Sequence, residues 1–133
     1  MIKKGMIFHI FFLFLTPALL SAGPSPETLR NIIRNYIAGQ EKLQRAFVIV
    51  DERSGDLRRL QLVRVHDRVG KTGDYYYSCT DMKDVNTGDL LDLDFDIEDR
   101  GGKLEVADIR IHKDNGKPRY TYDDKDNRIP VAN

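Results

Sequence analysis

Residues 90–99 read Leu-Leu-Asp-Leu-Asp-Phe-Asp-Ile-Glu-Asp, so that Leu91, Leu93, Phe95 and Ile97 alternate with Asp92, Asp94, Asp96 and Glu98. Successive side chains on a strand point to opposite faces, and the pattern predicts a strand with one apolar face and one carboxylate face. On a helix the same acids would surround the cylinder and leave no stripe to bury. This segment therefore belongs to a sheet with one buried face. Something apolar must cover Leu91, Leu93, Phe95 and Ile97.

The cover lies upstream. Ser25-Pro26-Glu27 supplies a capping hydroxyl, a proline suited to the first helical position and an acid near the positive end of the dipole. Leu29, Ile32, Ile33, Tyr36 and Ile37 follow at helical spacing as one apolar stripe, with an end at Gly39 or a turn later. Strand-like runs come next, at 47–52, 57–69, 75–83, 90–99, 103–113 and 118–122, parted by turn sequences such as Asn86-Thr87-Gly88, Arg100-Gly101-Gly102 and Asn115-Gly116. The apolar phase slips by one residue between Leu62 and Val63, and again after Val106. Such slips are what β-bulges look like in a sequence. The expected fold is α+β, one N-terminal helix packed on a curved five- to six-stranded antiparallel β-meander. Ile33, Ile37, Val63, Tyr77, Leu93, Phe95 and Ile109 are expected to point inward.

A chain of 133 residues is of single-domain size. Lys3 and Lys4, an apolar run over 6–20 and the small residues Ser21, Ala22 and Gly23 predict a signal peptide over 1–22, cleaved near Ala22 or retained as an anchor. The expected product is exported, periplasmic or secreted, with no membrane span once the signal is cut. A single domain is expected over 23–122 and a loose acidic tail over 123–133. Without Lys3 and Lys4, 19 basic residues face 21 acidic ones, a balance that excludes a general nucleic-acid binder. Cys79 is the single cysteine, so no internal disulfide can form. Its register suggests a small buried hydrophobe, with no base evident nearby to activate a thiol.

The order of these elements resembles the cystatin-like superfamily, in which a curved antiparallel sheet wraps one helix, and it is similar to small exported bacterial proteins of unknown function. Gln61-Leu62-Val63-Arg64-Val65 shares the first and third residues of the cystatin inhibitory loop, Gln-x-Val-x-Gly, but has Val65 in place of the glycine and lies within a strand. The resemblance thus implies the fold and not protease inhibition.

Phosphate-binding glycine loops, His-Glu-x-x-His, cysteine metal clusters and nucleophile elbows do not occur, so no catalytic residue, cofactor or metal is expected. Asp92, Asp94 and Asp96 lack the glycine of a calcium loop. Matching apolar faces across neighbouring strands sets Cys79 against Leu93, Tyr77 against Phe95, Asp94 against Asp108, Asp92 against Arg110 and Glu98 against Lys103. A solvated polar face follows, carrying Arg64, His66, Tyr76, Ser78, Asp94, Asp108, Arg110 and His112, with Arg64 and Arg110 neutralising the acids and leaving little affinity for calcium. The implied function is an exported, non-enzymatic binding or accessory module that uses this face towards a protein partner or a second copy. The alternative is a small ligand carrier or enzyme with a pocket between helix and sheet.

Overall fold

The computed structural model describes residues 22–132; the signal sequence expected over 1–22 lies almost wholly outside them. The helix α1 spans Pro26–Gln44. Ser25 caps it, Oγ accepting from the Thr28 amide at 3.1 Å, and Arg45 ends it in the left-handed region at φ 60°. Strands follow as β1 (Phe47–Val50), β2 (Leu57–Thr72), β3 (Tyr75–Asp84), β4 (Leu90–Arg100), β5 (Lys103–Asp114), β6 (Lys117–Pro118), β7 (Tyr120–Tyr122) and β8 (Arg128–Pro130). The first six pair antiparallel in chain order as one open sheet, giving the expected α+β meander under one helix. Among the described residues no helix is long and apolar enough to cross a membrane.

Leu29, Ile33 and Ile37 of α1 pack with Phe47, Leu60, Met82, Leu91, Leu93, Phe95 and Ile97. The expected inward face of β4 is thus the inward face observed. Both phase slips are bulges. The β2–β3 register shifts between Leu62 and Arg64, leaving Val63 as the extra residue with its side chain exposed rather than inward. The β4–β5 register shifts between Asp96 and Ile97, leaving Ala107 unmatched, and a second shift beside Leu93 leaves His112 unmatched.

Two further expectations are overturned. Residues 123–133 were expected to be loose, yet β7 and β8 pair as a hairpin with Asp123 organising its turn, Oδ1 accepting from the Lys125 and Asn127 amides at 2.8 and 2.9 Å. This hairpin lies over the carboxylate face of the sheet. As a result every residue of β4 from Leu91 to Ile97 is buried, acids included. The second concerns β3, where Ser78 pairs with Phe95, Thr80 with Leu93 and Met82 with Leu91. Tyr76, Ser78, Thr80 and Met82 therefore face the helix, while Tyr77 and Cys79 face outward, the reverse of the expected phase. Ser78 is satisfied there by donating to the carbonyls of His66 and Arg68 at 3.2 and 2.9 Å.

Candidate functional site

With β3 in its observed phase, the outward face brings Cys79 opposite Asp94, Tyr77 opposite Asp96 and Asp81 opposite Asp92. On the other flank Asp94 meets Arg110 and Asp96 meets Asp108, instead of the expected Asp94–Asp108 and Asp92–Arg110 pairs, and Glu98 meets Glu105 rather than Lys103. Three carboxylates at alternate positions of one strand are thereby held under the hairpin. Burying a charge is costly unless it is paired and hydrogen-bonded, so each needs its own partners.

Asp96 has them. Arg128 donates Nη1 to Oδ2 at 2.7 Å and Nη2 to Oδ1 at 2.6 Å. Asp94, wholly buried, accepts at Oδ2 from the hydroxyls of Tyr120 and Tyr122 and at Oδ1 from the Cys79 thiol at 2.7 Å. Tyr77 and Tyr122 stack at 4.6 Å between ring centres, His112 and Tyr120 at 4.8 Å. The Tyr77 hydroxyl donates to Asp126 in the hairpin turn at 3.0 Å.

Asp92 is the exception. It is only 8% exposed, yet its Oδ1 has no hydrogen-bond partner, and His112 Nδ1 lies 3.7 Å from Oδ2, beyond hydrogen-bond distance. Burial raises its pKa above the ordinary carboxylate value, against the pull of His112 and His66. The same His112 Nδ1 lies 3.7 Å from Cys79 Sγ and 3.9 Å from Asp94 Oδ1. On its other side Asp92 adjoins His66 and Asp81, whose Nε2 and Oδ1 are 2.8 Å apart. Asp92, His66 and Asp81 form part of the wall of a bay of about 350 Å³ that also includes Val63, Arg64 and Leu90.

The eight residues expected on the polar face divide accordingly. Asp94 and His112 are in the buried cluster and His66 is at its edge. Arg64 stands at the bay, 3.6 Å from Asp81, with two thirds of its side chain exposed. Asp108 and Arg110 pair with each other at 2.8 Å in the half-exposed margin, and Arg110 comes within 3.9 Å of Asp96. Tyr76 and Ser78 are on the opposite face. Neutralisation of the acids falls chiefly to Arg128, not to Arg64 or Arg110. Cys79, Asp81, Asp92, Tyr120, Tyr122 and Arg128 are not among the expected site residues: Tyr120 and Tyr122 fall in the strand expected over 118–122, with no contact to the acids foreseen, and Arg128 falls in the tail expected to be loose.

Cys79 is not an inert hydrophobe, since a histidine and two carboxylates surround its sulfur. A thiol nucleophile needs a lowered pKa and a base oriented through its second nitrogen. Here burial and the adjacent Asp94 push the thiol up, and one nitrogen, Nδ1, faces thiol and carboxylates alike.

Comparison of this chain with protein-family models, with curated proteins and with solved structures finds no match.

Proposed function

We propose that this chain is an exported, non-catalytic binding module whose ligand, positively charged, is taken up at Asp92. Export rests on the basic, apolar and small-residue order of residues 1–22. The observation that carries the binding reading is the orphaned Oδ1 of a buried carboxylate beside a bay, in a face where Asp94 and Asp96 are fully partnered. Buried polar groups are paired as a rule, so an unpartnered one calls for a specific explanation. The non-catalytic reading is supported by the raised Cys79 thiol and the single nitrogen that His112 turns to the cluster. A protein partner or second copy reading the outer sheet face loses its main support, because the hairpin covers the centre of that face.

Thermal melts of the purified protein with divalent metal ions and small organic cations test the reading. A cationic ligand should raise Tm for the native protein and have no such effect on Asp92→Asn. Equal shifts in both proteins, or none with any ligand, would contradict it.

A further inference from the structure

We infer that Cys79, Asp92, Asp94 and His112 form a site for a late first-row divalent metal ion, with zinc the best fit. The inference rests on the reading of Asp92 as the ligand-facing residue and adds the chemical class of its ligand. One donor atom from each of the four residues falls within 4.8 Å of the others. Around a tetrahedral zinc, donor–donor separations are roughly 3.3–3.6 Å, given Zn–S near 2.3 Å and Zn–N or Zn–O near 2.0–2.2 Å. His112 Nδ1 lies 3.7 Å from Cys79 Sγ, 3.7 Å from Asp92 Oδ2 and 3.9 Å from Asp94 Oδ1, a few tenths beyond those edges. The Sγ to Asp94 Oδ1 distance of 2.7 Å is a thiol hydrogen bond. It must open on coordination, when the thiol proton passes to solvent and the thiolate takes the metal in its place.

Two further observations point to a ligand independently of the donor count. Asp92, which brings Oδ2 to within 3.7 Å of His112 Nδ1, is 8% exposed with Oδ1 unpartnered, so this carboxylate is left short of a counter-group. The donors are also held from behind. The Tyr120 and Tyr122 hydroxyls fix Asp94, and the Tyr120 ring stacks on His112, as outer groups orient metal ligands elsewhere. Asp92 connects the cluster to the His66–Asp81 pair in the bay, which supplies a path of entry.

One thiolate, one imidazole and two carboxylates favour zinc and its neighbours over calcium, which takes six to eight oxygens. Arg128, with Nη2 3.8 Å from Asp94 Oδ2, offsets the negative charge left over when a divalent ion meets three anionic donors.

The test adds Co²⁺ and Zn²⁺ to the purified protein, with Ca²⁺ and Mg²⁺ alongside. Co²⁺ should give a thiolate-to-cobalt charge-transfer band and tetrahedral ligand-field bands, both removed by Zn²⁺, and Zn²⁺ should raise Tm. In the native protein Zn²⁺ should also slow alkylation of Cys79, a readout that needs no variant. Cys79→Ser should lose the charge-transfer band, and His112→Gln should bind Co²⁺ about tenfold or more weakly. An octahedral cobalt spectrum, or a thiolate-free spectrum unchanged by Cys79→Ser, overturns the inference. If instead Ca²⁺, Mg²⁺ or an organic cation stabilises the protein through Asp92 and cobalt shows no thiolate band, the metal assignment falls while the binding reading stands. If nothing stabilises it, both fall.

Discussion

Arg128 grips Asp96 across 32 residues of chain, closing two parallel N–H···O contacts of 2.7 and 2.6 Å on a carboxylate that is 2% exposed. This pair fastens the C-terminal hairpin to the middle of the sheet. Breaking a buried pair from one side strands the other charge, so Asp96→Asn or Arg128→Gln alone should cost about 3–5 kcal/mol in urea melts. Replacing both, as Asp96→Leu with Arg128→Met, should cost less than either single change. A solvated face would instead give losses under roughly 0.5 kcal/mol for Asp96→Asn.

On the helix side Phe95 is wholly buried, 6.3 Å from the Tyr36 ring and 5.8 Å from that of Phe47. Phe95→Ala should cost about 3–5 kcal/mol through lost burial and the cavity left behind. A loss below about 1 kcal/mol would mean that the helix does not seat on β4.

At the sheet end that joins β1 to the chain before β7, Arg119 donates Nη1 and Nη2 to Asp51 at 2.8 Å each. Those bonds, aided by the Arg53 amide and opposed by burial, hold the Asp51 carboxyl at about 2, below its ordinary 3.8. A depressed folded-state pKa stabilises the fold above the unfolded value and is lost as pH falls through the folded one. About 2 kcal/mol should therefore disappear between roughly pH 4 and pH 2. Denaturant melts across that window should show the loss for the native protein, while Arg119→Gln shows a lower and flatter profile. Parallel profiles would remove the pair from the account.

The helix, the meander, the inward face of β4 and two bulges were legible because each rests on residues with only one sensible side to face. Leu91, Leu93, Phe95 and Ile97 cannot all be wet, and a slip such as Leu62 to Val63 has no other cause in a strand. The phase of β3 was not legible in the same way. Tyr, Ser, Cys and Thr alternate there with little preference, and two tyrosines and a cysteine drew the inward assignment away from Met82. Met82, wholly buried, was the one unambiguous apolar residue and marked the correct face. That single reversal moved Cys79 out of the core and towards Asp94 and His112.

The hairpin was hidden for a different reason. The segment from Tyr120 to Pro130 has little apolar content and does not fold on its own pattern. It folds because two buried acids, Asp94 and Asp96, accept its hydroxyls and its guanidinium. The signal was indirect: a strand of alternating acids demands counter-groups, and Tyr120, Tyr122 and Arg128 were the ones left unassigned.

Asp92 tests the central claim most directly, because binding and stability should pull apart there. Its orphaned oxygen makes the ligand-free fold less stable, so Asp92→Asn should gain about 1 kcal/mol in urea melts without ligand. The same variant should lose the stabilisation by cations seen for the native protein. A loss of about 3 kcal/mol or more, comparable with Asp96→Asn, would make Asp92 a structural carboxylate and contradict the account.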